Sequence, residues 1–224
     1  ETLARLFGEK SYADTCRADR HQAIVSFNQR FWYEQGGYLY DVLDGPEGND
    51  ASFRPNQLYA LSLVDDLVPR ERAQRILRLV KDQLFTPVGL RTLSPADPRY
   101  HARYEGGGPE RDRAYHQGTV WPFLLGPMVT AWINSFGRNA ASRKEARALL
   151  NGLEAHLAEA CLGQVSEIFD AGAPHHPRGC VAQAWSVAEP LRALIEDLGG
   201  PAEAAHPIKT VIIRRKKPTQ RRTS

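Results

Sequence analysis

The sequence predicts an all-α fold of paired helices, the pattern that a toroid of helical hairpins would produce, on three observations. Apolar residues recur at helical intervals through most of the chain. Prolines stand where several of the helices would begin. Two long polar stretches interrupt the helical pattern, and a ring of hairpins would gather such connections on one side, as a rim around a pocket.

The elements follow in order. Leu3, Leu6 and Phe7, then Ala18, Ile24, Val25, Phe27, Phe31 and Trp32, mark opening helices with a turn near Gly8. GGYLYDVLDG (36–45) alternates apolar and polar residues and reads as an extended segment or hairpin arm. Helices are expected from Pro55 in RPNQLYALSLVDD and from Pro69 in PRERAQRILRLVKDQLF. Residues 86–116 have no helical period; a long irregular stretch inside a compact domain is more often functional than idle. QGTVWPFLLGPMVTAWINSFG resumes an apolar helix, with Pro122 in its first turn and a kink expected at Pro127. SRKEARALLNGLEAHLAEACLG predicts one amphipathic helix with Ala146, Leu149, Leu150, Leu153, Leu157 and Cys161 on its inner side. After a second polar loop, VAQAWSVAEPLRALIEDLGG is the last helix, closed by a glycine pair.

A chain of 224 residues, 42% hydrophobic, can bury a substantial core. It contains no run of roughly 18–20 apolar residues and starts without the apolar core of a secretion signal, so a cytoplasmic protein with no membrane partner is expected. Cys16, Cys161 and Cys180 are odd in number and widely spaced, which predicts buried free thiols rather than disulfides. The net charge of +3 conceals an asymmetry: from His206 onward the chain carries seven of its 29 bases and no acid, leaving 22 bases against 26 acids in the body. The expected organisation is therefore a body over 1–200 and a basic, solvated, disordered tail over 201–224 that could hold an acidic partner.

Four stretches stand where loops meet helix starts: 52–60, 89–100, 114–122 and 167–185. Each mixes planar hydrogen-bonding side chains with aromatic rings. Sugars call for this mixture, because hydroxyls need donor and acceptor pairs while the CH face of a pyranose stacks on an aromatic ring. Taken singly, Arg54 and Asn56 could equally brace the helix that follows them, and His116 and Gln117 could bind backbone. His175, His176 and Cys180 lack the spacing of a zinc site and no fourth ligand is evident, so neither metal nor cofactor is expected.

RPNQLYALSL, GLRTLSPADPRY, RYEGG, AYHQGTVWPFLLGP, SEIFD and PRGCVAQAWSVAE, in this order and spacing, resemble the amylo-alpha-1,6-glucosidase domain at the C-terminal end of glycogen debranching enzymes, over about Phe27 to Leu198. The resemblance implies an (α/α)6 toroid of six helical hairpins that hydrolyses α-1,6-linked glucose at glycogen branch points with inversion. About seven helical segments are legible here, so nearly half the ring is expected before Glu1, in the same polypeptide.

Inversion requires a carboxylic acid on the leaving oxygen and a carboxylate that activates water, roughly 6.5–9.5 Å apart. The resemblance assigns the base to Glu167 of SEIFD and the acid to an aspartate of a WMD motif, which this chain does not contain. Asp41, Asp97 and Asp170 are read as structural or substrate-contacting, and Arg178 or His175 as the groups that keep Glu167 ionised. The glucose subsite is expected to be shaped by Arg54, Asn56, Gln57, Tyr115, His116, Gln117, Trp121, Asp170, Gln183 and Trp185. The substrate implied is a branched α-glucan, glycogen or a limit dextrin, with little hydrolysis by this chain alone. The rival readings are another toroidal exo-glucosidase with α-1,4 preference, and a non-catalytic glycan-binding or partner-docking remnant.

Overall fold

The computed structural model describes residues 1–64 and 66–200. The chain opens with α1 (Thr2–Leu6) and α2 (Lys10–Arg30), then two hairpins, β1–β2 (Trp32–Tyr33, Tyr38–Leu39) and β3–β4 (Val42–Gly45, Gly48–Asp50). Gly8 breaks the first two helices apart and the GGYLYDVLDG segment is extended, as expected. The apolar side chains of α1 remain on the surface, however, with Leu6 and Phe7 both 77% exposed.

A 3₁₀ turn, Pro55–Gln57, runs into α3 (Leu58–Ser62), and Pro69 caps α4 (Arg70–Gln83). The stretch expected to be irregular contains β5 (Phe85–Thr86), β6 (Gly89–Arg91) and α5 (Gly108–Tyr115). The last of these starts at Gly-Pro and carries almost no apolar residues, so it has no hydrophobic period to read. Next come β7 (Val120–Trp121), a 3₁₀ turn at Pro122–Leu124 and α6 (Leu125–Phe136). Pro127 falls in the first turn of α6, where backbone N–H groups have no partner within the helix, so it removes no hydrogen bond from the interior of α6.

Residues 142–163 form not one helix but two, α7 (Ala140–Ala148) and α8 (Asn151–His156), with a break at Leu149–Leu150. Ala146, Leu149 and Leu153 are buried, while Leu157 lies past the end of α8 and is 41% exposed. Two more short strands, β8 (Ile168–Phe169) and β9 (Pro177–Arg178), precede α9 (Ala184–Arg192), which ends in a π turn (Ala193–Asp197) before Gly199 and Gly200.

The core is built around α6, which packs against α3, α4, α7 and α9. Leu125, Met128, Val129, Ala131 and Ile133 are fully buried, the all-round burial of a central helix. The all-α expectation needs one correction. Strands β5 to β9 form an antiparallel five-stranded sheet in the order β5-β6-β7-β8-β9. Its strands are two or three residues long, too short to show period-2 alternation, so the sequence reads them as loop. The cysteines are free, but Cys16 and Cys161 are half-buried and Cys180 is exposed, not buried as expected. The basic-tail expectation, 201–224, lies outside the described residues.

Candidate active site

The small sheet brings the motifs together. Strand β7 carries Trp121; its Val120 pairs with Phe169 of β8, and β8 pairs with β9. The ladder continues one step beyond β8 and β9, where the Glu167 N–H donates to the Cys180 carbonyl at 2.9 Å. The Cys180 N–H returns a hydrogen bond to Glu167 Oε2 at 2.8 Å, and the Tyr115 hydroxyl, at the end of α5, donates to Oε1. Both oxygens of the half-buried carboxylate are therefore held. Gly179 makes this possible: it adopts a left-handed φ of +67°, and a Cβ there would overlap Glu167 Oε2. Behind Glu167, the fully buried His156 accepts the Ser166 N–H through Nε2 at 3.3 Å.

Burial pushes the Glu167 carboxyl up. The Tyr115 hydroxyl and the Cys180 N–H oppose it and win, holding Glu167 below the usual carboxylate range. Burial and the bond to Glu167 raise Tyr115 far above an ordinary phenol, so it remains a donor. Arg178 and His175, the groups expected to keep Glu167 ionised, are used elsewhere. Arg178 donates to Asp170 Oδ2 from Nε at 3.1 Å and from Nη2 at 2.8 Å, and His175 Nδ1 bonds the Asp170 carbonyl at 3.0 Å.

Tyr115 links the carboxylate to an aromatic wall. Its ring meets Trp121 edge-on at 4.8 Å and His116 at 4.7 Å. Trp121 in turn meets Trp185 at 5.7 Å, and Phe123 stacks on Trp185 at 4.2 Å. This wall bounds a cavity of about 470 Å³ whose lining includes Arg54, Asn56, His116, Gln117, Trp121 and Trp185. Six of the expected sugar-site residues thus share one cavity, and Glu167 lies outside its lining, one Tyr115 side chain away. Burial and, secondarily, the Arg54 charge push the His116 imidazole down, which leaves it neutral near pH 7.

Several cavity residues are also braces. Arg54 donates to the carbonyls of Thr92 (3.0 Å) and His116 (2.7 Å) and to Gln117 Oε1 (2.7 Å), and pairs with Asp41 at 3.6 Å. The Asn56 amide donates to Asp41 Oδ1 at 2.8 Å. Arg54 therefore fixes the two loops that carry His116 and Thr92, and the Gln117 amide N–H₂ donates to none of the described residues, which leaves it for a ligand.

Three expected contacts need correction. Gln57 is buried, with its amide spent on the Arg54 carbonyl (3.0 Å) and the Leu39 N–H (3.3 Å). Asp170 is 2% exposed and, besides Arg178, accepts the Tyr104 N–H at 2.8 Å. Gln183 caps α9 by accepting the Ala184 N–H at 3.1 Å and does not line the cavity. Sequence reasoning missed Tyr59 and Phe123, which do line it. Both stand in the motifs PNQLYA and VWPFLLG, as aromatic residues at loop-helix junctions.

A family model described as "Amylo-alpha-1,6-glucosidase" matches residues 7–192. A curated relative, the glycogen debranching enzyme of Saccharomyces cerevisiae, is 33% identical over 94 residues, which cover 39% of this chain and 6% of that protein. Among solved structures, a GH63 mannosylglycerate hydrolase from Thermus thermophilus in complex with Tris is similar with a TM-score of 0.52 at 17% identity, over 70% of this chain and 33% of its own. The neutral trehalase Nth1 of Saccharomyces cerevisiae is similar with a TM-score of 0.53 at 16% identity, over 76% of this chain and 28% of its own. These solved structures are (α/α)6 barrel-type glycosidases, and the chain spans about a third of their length.

Proposed function

Because the chain belongs to the amylo-alpha-1,6-glucosidase family, we propose that it forms part of an inverting glycoside hydrolase that releases glucose from α-1,6 branch points of glycogen-like limit dextrins. The observation that carries this reading is the state of Glu167. A base must be ionised and aimed, and the Tyr115 hydroxyl and Cys180 N–H supply both conditions, beside a cavity with an indole wall. Glu167 takes a proton from the attacking water as that oxygen bonds to the anomeric carbon. Trp121 and Trp185 offer faces to the pyranose, and Asn56, His116 and Gln117 supply polar groups for its hydroxyls.

The reaction also needs a protonated carboxyl at the leaving oxygen. Asp41 and Asp50 line the cavity. Asp41 accepts from Asn56 and faces Arg54. Asp50 is held below the usual carboxylate range by hydrogen bonds from Ser52, against the effect of burial, which makes it a poor proton donor. The acid is accordingly assigned to the WMD segment that the resemblance implies and this chain lacks, and the chain alone is expected to hydrolyse little. A cytoplasmic protein fits this role; among the described residues no helix is long and apolar enough to cross a membrane.

A second reading is a glycan-binding remnant without catalysis. Glucose release from a limit dextrin by the natural full-length protein, compared with its Glu167→Gln variant, separates the two. Glu167-dependent release supports the hydrolase, whereas binding without release supports the remnant. Release from linear rather than branched dextrin would instead point to an α-1,4 exo-glucosidase.

A further inference from the structure

The largest cavity among the prominent ones is not at Glu167. It is a groove of about 920 Å³ between the β3–β4 hairpin and the loop over residues 94–99. It adjoins the smaller cavity, for Asp50 lines both. Both volumes fall in the range of ligand sites, roughly 300–1,000 Å³.

The groove is polar and already ordered. Arg99 grips Asp97 through Nε at 3.0 Å and Nη2 at 2.9 Å, and Nη2 also donates to Ser52 Oγ. The other terminal nitrogen, Nη1, makes no hydrogen bond to the described residues, so two N–H donors stay available on a side chain that is half-exposed and fixed. Asn49 accepts the Asp44 N–H at 3.0 Å through its carbonyl, and its amide donates to none of the described residues. The same holds for Gln83, whose carbonyl accepts from Ser94 Oγ at 2.9 Å. Fixed donors next to the accepting oxygens of Asp97 suit adjacent hydroxyls, and ordering them in advance lowers the entropic cost of binding. Exposed Pro46 and Pro98, with Val42 at 46% exposure, add small apolar faces. Three acids, Glu47, Asp50 and Asp97, stand against one base, Arg99, which disfavours a nucleic acid or a sugar phosphate.

We propose that this groove is a second carbohydrate-binding surface, continuous with the first cavity through Asp50, which holds the neutral α-glucan chain that bears the scissile branch. The inference rests on the glucosidase reading for the role of the chain it holds, but its binding can be measured apart from hydrolysis.

The test uses the natural full-length protein, its Arg99→Ala variant and its Ala96→Trp variant. Ala96 is exposed in the groove and bonds Ser94 only through its backbone N–H, so the indole narrows the groove without removing a bond. Maltoheptaose affinity is measured by calorimetry, and glucose release is measured on isomaltose and on a branched limit dextrin. The expected result is maltoheptaose binding weakened about fivefold or more in both variants, the loss of one or two hydrogen bonds or of space, with a lowered preference for the dextrin over isomaltose. Unchanged maltoheptaose affinity in both variants, or no binding by the wild type at millimolar concentration, overturns the groove even if glucose is released. Arg99-dependent binding without Glu167-dependent release supports the groove and sinks the glucosidase reading instead.

Discussion

Glu167 and Asp170 stand three residues apart in one motif, and the protein uses them in opposite ways. Glu167 is half-buried and accepts from a phenol and a backbone N–H, neither of which carries charge. Asp170 is 2% exposed and is neutralised by Arg178. The strand between them explains the divergence. Side chains alternate across β8, so positions separated by three residues point to opposite faces, one toward Tyr115 and the aromatic wall, the other toward Tyr104 and the returning β9. A carboxylate bonded by neutral donors keeps its negative charge available to a substrate; one paired with a guanidinium does not.

The largest effect should come from Glu167→Gln, which removes the proposed base while its amide oxygen can still accept the Cys180 N–H and its N–H₂ can donate to the Tyr115 oxygen. Glucose release by the natural protein is expected to fall about 10²–10⁴-fold with the melting temperature nearly unchanged, and a comparable loss of stability would break the contrast by making Glu167 structural too. Asp170→Ala should do the reverse. It strands Arg178 and the Tyr104 N–H, and because Arg178 is 35% exposed the cost is expected at about 2 kcal/mol rather than the full value of a buried pair, measured by urea unfolding.

Tyr115→Phe sharpens the comparison through pH. In the native protein Glu167 has a pKa below its unfolded value, so its stabilising contribution is present above about pH 4.3 and is lost as pH falls through the folded pKa. Without the phenol, burial is opposed by Cys180 alone, through its N–H and its thiol, so the acidic limb of the rate profile should move to higher pH. An unmoved limb would mean that Tyr115 does not tune the base. The smallest effect is expected for Trp185→Ala, which removes a partly exposed indole face; an aromatic contact of about 0.5–1.5 kcal/mol corresponds to a rise of several-fold in KM with kcat little changed.

Legibility in the sequence followed the length of the elements. Helices α4 and α9 are amphipathic enough for their periodicity to declare itself, and Pro55 and Pro69 mark real helix starts. The break at Leu149–Leu150 was hidden because an apolar stripe continues through it. Six of the expected sugar-site residues share one cavity because loop-helix junctions concentrate on that side. The roles of Gln57 and Asp170 are not legible because residue type does not reveal which face a side chain takes, and the partners that decide it, Leu39 and Arg178, are fixed only by the fold.

The two-residue strands around Trp121 and Glu167 also govern when the site exists. Val120 and Phe169 are paired across a long intervening chain, so closing that loop brings a large entropic cost before any ladder bond is gained. The helices around α6 can pack earlier, through nearer neighbours such as α7. The sheet should therefore be among the last parts to assemble and the first to open, and amide hydrogen exchange at Val120, Glu167 and Cys180 should outpace that of Val129 and Ile133. The arrangement around Glu167 would then be acquired late in folding and lost early on heating, before the helical body unfolds.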